Sequence, residues 1–273
     1  MIPDGLPGSP TPLPSPVLDS HTHLDIVTGP AWGPAEQIAA AAKVGVDRLV
    51  QVGVDVTSSQ WGVTLAQEHD AVVATVALHP NEAPRVSNLD DCLELIGSMA
   101  EHPRVRGVGE TGLDFYRTSG DGLKAQERSF RAHIGIAKRT GKTLVVHDRD
   151  AHADILRVID DEGAPGDVVM HCFSGDAAFA EQCVRRGFTL SFAGTVTFKN
   201  APQLREAARQ TPLDRILVET DAPYLTPMPY RGRPNASYLI PVTVRALAEV
   251  KGVPLGEMCE AISANGERLF GPW

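Results

Sequence analysis

Six side chains able to ligate a metal ion stand out by type and spacing: His21, His23, Glu110, His147, His171 and Asp221. In an extended chain, side chains two residues apart point to the same side. His21 and His23 can therefore reach one cation while Thr22 turns aside. Glu110 sits in Gly107-Val108-Gly109-Glu110-Thr111-Gly112-Leu113-Asp114, where glycines allow sharp turning and close backbone approach around a carboxylate. Its two oxygens can bridge two metal ions. His147 and His171 end the apolar runs LVVH and VVMH. In LVETDAPY two acids stand two apart. Asp221, just before a turn, is read as the ligand, and Glu219 as a partner that orients a histidine. Four imidazoles and two carboxylates form a borderline-soft N/O set that suits Zn, Mn, Fe, Co or Ni better than Ca. Two such cations about 3.5–4 Å apart stabilise attacking and leaving oxygens together, so hydrolysis follows more naturally than redox chemistry.

These groups need a frame that brings them together. From Val17 onward, short β-branched runs alternate with longer Ala/Leu/Glu/Arg-rich stretches at helical spacing. Strands are predicted at 17–20, 48–53, 72–77, 105–109, 143–147, 167–171, 188–192 and 215–219. Helices are predicted at about 34–44, 57–69, 90–101, 122–140, 150–162, 176–186, 201–209, 236–251 and 254–269. Eight strands, each followed by a helix, predict a single-domain (β/α)8 TIM barrel over residues 17–273. An open doubly wound sheet is the rival, but neither a G-x-G-x-x-G nor a P-loop signature follows any strand. In a barrel the carboxyl ends of all strands meet at one face. The six candidate ligands fall at five such ends.

Composition narrows the classes further. The chain has 273 residues and a formal net charge of −9. That balance argues against a broad basic surface gripping nucleic acid by counterion release. No apolar run reaches the ~20 residues of a membrane span. The cysteines, Cys92, Cys172, Cys183 and Cys259, form no C-x-x-C pair and are read as free thiols. With no basic, apolar leader at the start, a cytoplasmic location is expected. The opening MIPDGLPGSPTPLPSP carries six prolines in sixteen residues and is expected to be a disordered tail over 1–16, dispensable for catalysis.

Other side chains fall in the same strand-end loops. His79, before Pro80, is placed to hydrogen-bond a substrate phosphate. Arg149, two residues after His147, offers a planar fork for phosphate oxygens; an ion pair with Asp148 or Asp150 is the alternative. Lys199, Arg231 and Arg233 are placed to touch a polyanionic backbone. Cys172 is expected to pack beside the barrel.

The order of H-T-H (21–23), A-L-H-P (77–80), G-E-T-G-L-D (109–114), V-H-D-R (146–149), H-C-F-S-G (171–175) and E-T-D-A-P-Y (219–224) resembles the TatD family of metal-dependent deoxyribonucleases. The resemblance runs from about Val17 to Phe270, including N-x-x-R-L-F at 265–270. It implies a barrel of the amidohydrolase-like group that cleaves DNA phosphodiesters, often from the 3′ end. It implies two divalent cations (Zn, Mn, Mg, Co, Ni or Fe), one held by His21, His23, Glu110 and Asp221, the other by Glu110, His147 and His171. Glu110 and Asp221 are then the catalytic carboxylates, with His79, Arg149, Lys199 and Arg231 toward substrate. The implied partner is DNA with single-stranded or frayed ends, with no membrane and no obligate protein partner. The chain departs from the family pattern at Ala77, where glycine is common, at Asn81, where a second histidine often follows H-P, and at R-G-R-P-N-A-S (231–237). None of these positions is an implied ligand. Two other functions fit the same residues: a metal-dependent ester or amide hydrolase such as an aminoacyl-tRNA deacylase, and a non-catalytic metal- or nucleic-acid-binding scaffold.

Overall fold

The computed structural model describes residue 2, residues 5–26 and residues 32–273. Strand and helix alternate throughout: β1 (Val17–Thr22), α1 (Pro34–Ala42), β2 (Val46–Val52), α2 (Val56–Glu68), β3 (Val72–Val76), α3 (Leu89–Ala100), β4 (Val105–Asp114), α4 (Asp121–Thr140), β5 (Thr143–Arg149), α5 (His152–Glu162), β6 (Val168–Met170), α6 (Ala177–Arg185), β7 (Thr189–Phe192), α7 (Pro202–Gln210), β8 (Ile216–Val218), α8 (Ile240–Lys251) and α9 (Leu255–Phe270). The eight strands pair in parallel in chain order, giving a nearly closed barrel. The expected TIM-barrel class is the observed one. Strands such as β3, with all five residues buried, are continuous Val/Ala/Thr runs because helices cover one face and the barrel interior the other. Among the described residues, no helix is long and apolar enough to cross a membrane.

Three strands run further at their carboxyl ends than their sequence pattern predicts, β1 by two residues to Thr22. β4 continues through Glu110 to Asp114, and β5 continues to Arg149, because each ladders onto the other with Gly112 opposite His147 and Asp114 opposite Arg149. Gly112 is required there: its φ is +141°, and a Cβ would collide with the His147 carbonyl. The β1–β8 seam is closed differently. A single parallel bridge joins Thr22 to Ala222. Around it, the His23 N–H donates to the Ala222 carbonyl (3.0 Å) and the Asp221 N–H to the His21 carbonyl (2.9 Å).

The proline-rich head departs from expectation. Residues 1, 3 and 4 lie outside the described residues, but the rest does not behave as a free tail. Pro7 is buried and Leu13 is only 8% exposed. The Leu13 N–H donates to the Val44 carbonyl (3.0 Å), Tyr238 Oη donates to the Pro7 carbonyl (2.6 Å) and Arg245 Nη2 to the Pro12 carbonyl (3.1 Å). Prolines remove donors but keep carbonyl acceptors, and a stiff backbone has less entropy to lose on docking. Leu13 then anchors what composition alone left loose. Deleting residues 1–15 should uncover the Leu13 site (~2 kcal/mol) and strand the Tyr238 hydroxyl (~1–3 kcal/mol). A fall in melting temperature of roughly 10 °C is expected by calorimetry; an unchanged transition would mean that the head does not dock.

His133 of α4 supports the end of β3. Its Nδ1–H donates to the Ser129 carbonyl (2.7 Å) and Nε2 accepts from the Leu78 N–H (3.0 Å), so the neutral ring is wedged one residue from His79. Burial pushes its pKa down to about 4. The unfolded chain therefore takes up a proton near pH 6.5 that the folded chain refuses, and stability falls as pH drops from there toward 4. Between pH 7.5 and 5 the loss from this group should be about 2 kcal/mol, at 1.36 kcal/mol per pH unit. Urea midpoints for wild type and His133→Gln at the two pH values isolate it: the variant's curve should be flatter by that amount.

Candidate metal centre

The centre is built around one carboxylate. Glu110, 4% exposed, is reached by four histidines from four different segments. Its Oε2 faces His21 Nε2 at 3.4 Å. Its Oε1 faces His147 Nδ1 at 2.6 Å, His171 Nε2 at 3.1 Å and His79 Nε2 at 3.4 Å. On the seam side, Asp221 Oδ1 lies 3.4 Å from His23 Nε2 and 3.7 Å from His21 Nε2. Donor atoms within 4.8 Å of one another form three groups able to hold a cation: His21-His23-Asp221, His21-Glu110-His171 and His79-Glu110-His147. The six residues singled out in the sequence thus meet at the barrel mouth. His79, expected toward substrate, also lies against Glu110, in the third of these groups.

The protonation landscape follows from this crowding. Burial works against the charge on Glu110, yet His171, His79 and His147 outweigh it and hold the carboxyl well below its usual range. Asp221 is likewise held low, the His23 contact outweighing burial. His21 goes the other way: burial and neighbouring His171, stacked on it at 3.7 Å between ring centroids, lower its pKa. Both His21 ring nitrogens are buried without a hydrogen-bond partner. Such orphaned groups are costly in a folded interior, and a coordinated divalent cation satisfies a neutral imidazole directly. The donor set therefore fits metal.

Polar groups outside the centre lie beside His171, His23 and His147. His171 Nδ1 lies 2.9 Å from Glu219 Oε1, so the acid two residues before Asp221 sits against this ring. His23 Nδ1 is 3.2 Å from the Val52 carbonyl. His147 Nε2 is 3.3 Å from Asp114 Oδ2, which also accepts from Asn81 Nδ2 (2.9 Å). Asp114 was missed in the sequence, although it lies four residues after Glu110, on the same strand face by period two. Asn81, at a position where the family pattern often has histidine, serves to hold Asp114.

Asp19 was missed for the same reason: it precedes His21 by two. Fully buried, its Oδ1 accepts from the Thr220 N–H (2.9 Å) and the His21 N–H (3.3 Å), and Oδ2 accepts from Thr220 Oγ1 (2.6 Å). It pins β1 to the β8 end where the backbone ladder is missing. Asp221 itself sits at φ 53°, in the left-handed region that Asp tolerates better than most residues.

Several arginines on and beside the outer helices are tied to acids: Arg128 to Asp90, Arg131 to Glu127, Asp161 and Glu162, Arg157 to Glu127 and Asp154, and Arg186 to Asp160. Among the described residues, Arg117, Arg149, Lys199, Arg231 and Arg233 in the mouth loops have no carboxylate within 4.0 Å. The alternative ion pair of Arg149 with Asp148 or Asp150 is not formed; Asp148 lies instead 2.7 Å from His152 Nδ1. Arg149 and Arg231 lie over aromatic rings instead, those of Tyr116 and Phe198. All four cysteines are free, and burial beside Glu219 pushes the Cys172 thiol well above its usual range, so it is a thiol and not a thiolate ligand.

The model of the family described as "TatD related DNase" matches residues 18–271. The chain belongs to the TatD family. An "Uncharacterized metal-dependent hydrolase TatD" of Mycobacterium tuberculosis is 44% identical over 261 residues, covering 93% of this chain and 98% of that one. The "Uncharacterized metal-dependent hydrolase YabD" of Bacillus subtilis is 34% identical over 256 residues, covering 93% and 98%. The crystal structure of YJJV, a TatD homologue from Escherichia coli, superposes with a TM-score of 0.85 at 27% identity, covering 94% of this chain and 98% of that one. This TatD protein is accordingly a metal-dependent hydrolase, with His, Glu and Asp groups at its mouth able to hold metal ions.

Proposed function

We propose that the chain hydrolyses DNA phosphodiester bonds with two divalent cations, working from single-stranded ends in the 3′–5′ direction. The observation that carries this reading is the divided environment of Glu110: one oxygen faces His21, the other faces His147 and His171. His21, His23, Glu110 and Asp221 would hold one cation, and Glu110, His147 and His171 the other. Bound there, such cations supply Lewis-acid stabilisation of a phosphoryl group and acidify a water molecule. Glu110 keeps the two positions in register. Asp221, held ionised beside His23, accepts the proton that the attacking water gives up. Glu219 and Asp114 fix the tilt of His171 and His147. Arg149 meets non-bridging phosphate oxygens, and Lys199 and Arg231 meet the flanking backbone. The unpaired rim cations favour an anionic polymer over a neutral ester, and the family description points to DNA.

The test is digestion of 3′- or 5′-labelled single-stranded, duplex and closed circular DNA with added Mn or Mg, beside an aminoacyl-tRNA. Shortening of single strands from the 3′ end, with circles intact, is the expected result. Few phosphates meet cations at this mouth, so the salt dependence should be shallow, at about −0.7 in log–log slope per phosphate. Cleavage of the aminoacyl ester with DNA left whole would replace this reading by the deacylase. Efficient cutting of circles with a steep slope would replace the end-directed mode.

A further inference from the structure

We propose that Tyr116, with Arg149 laid over it, is a platform on which a nucleobase of the substrate stacks beside the scissile phosphate. The choice of ligand rests on the phosphodiesterase reading above; the platform itself rests on the following geometry. Tyr116 is 67% exposed, and the guanidinium carbon of Arg149 lies 4.1 Å from its ring centroid. Large aromatic side chains are seldom left in water, and here the exposure is concentrated: among the described residues, the two exposed aromatics are Tyr116 and Tyr224, in the loops after β4 and β8. The other cation–ring pair of the rim, Arg231 over Phe198, has a half-buried ring and offers no comparable open face.

The register places the platform next to the metal centre. Asp114 pairs with Arg149 across β4 and β5, and Gly112 pairs with His147. Arg149 is therefore two residues, or ~6.6 Å at 3.3 Å per residue, further out than His147 along the same strand and on the same side. Tyr116 lies in the turn that follows Asp114, and its ring is placed by the Arg149 guanidinium laid over it, on the outward side of His147 along β5. The ligand for such a pair must be flat enough to lie on a ring and anionic enough to meet an unneutralised guanidinium. A nucleotide unit satisfies both, its base on tyrosine and its phosphate toward arginine and the centre. A simple ester or lactone satisfies neither.

Base–aromatic stacking contributes about 1–3 kcal/mol per base, which is roughly 5- to 150-fold in affinity. The test uses the full-length, metal-loaded protein and a phosphorothioate-linked oligodeoxynucleotide with 2-aminopurine at its 3′ end, whose fluorescence is quenched by stacking. Wild type and Tyr116→Phe should bind and quench. Tyr116→Ala should bind at least about 5-fold more weakly and lose the quench, with metal content and melting temperature unchanged. An abasic 3′ nucleotide should weaken binding to wild type by a similar factor and make no further difference to Tyr116→Ala. Equal binding and quenching by wild type and Tyr116→Ala would overturn the platform, as would failure of wild type to bind the oligonucleotide. Tyr116-dependent binding and quenching without cleavage of the ordinary phosphodiester would instead sustain the platform and overturn the nuclease reading.

Discussion

Glu110→Ala should lose bound metal and roughly 10³-fold or more in hydrolytic rate, the scale on which removing a preorganised charge-stabilising group acts. No neighbouring acid can take over, because Asp114 is turned to His147 and Asn81, Glu219 to His171, and Asp221 to the seam-side histidines. The variant also leaves four imidazoles crowded about a missing counter-charge. Arg149→Ala is the contrast. It removes a charged hydrogen-bond donor worth about 1.5–3 kcal/mol, or roughly 10- to 100-fold, from substrate binding. It touches none of the groups that could hold a cation. Elemental analysis should show metal lost in the Glu110 variant and near wild type in the Arg149 variant. Unchanged metal in Glu110→Ala would remove Glu110 from the centre.

Chelation should have an effect as large. EDTA is expected to abolish hydrolysis, and Mn, Mg, Co or Zn to restore part of it, since the His, Glu and Asp groups gathered at the mouth are able to hold metal ions. Stability should follow. A ligand that binds only the folded chain stabilises it by about 4 kcal/mol at a concentration a thousand times its dissociation constant. The stripped protein should therefore melt at a lower temperature and recover on metal addition. Full activity in a metal-free, chelated sample would end the two-cation reading.

The candidate ligands were legible because their signal is local. A β-branched run ending in histidine or in an acid can be read within a dozen residues, and a parallel barrel gathers such ends without further instruction. His21, Glu110, His147, His171 and Asp221 needed only that rule. Glu219 was legible too, since its period-two spacing from Asp221 left one of the pair to face a histidine ring.

What local pattern could not settle is how strands are staggered and what lies across from them. The pairing of Asp114 with Arg149 carries β4 and β5 past their apolar runs, and it is this stagger that sets Asp114 on His147 and Arg149 over Tyr116. Asp19 could be seen two residues before His21, but its partner Thr220 lies at the far end of the chain, and only closure of the barrel joins them. His79 was read toward substrate, and its closeness to Glu110 appears only when β3 and β4 are side by side. The proline-rich head looked unstructured because composition counts donors and apolar mass, not the Tyr238 and Arg245 donors waiting for its carbonyls. The sequence by itself determined the barrel, its chemical face and the residue types gathered there, because those depend on short-range periodicity. The tertiary structure decided which atoms meet, because register, seam and docking are set by contacts between segments remote in the chain.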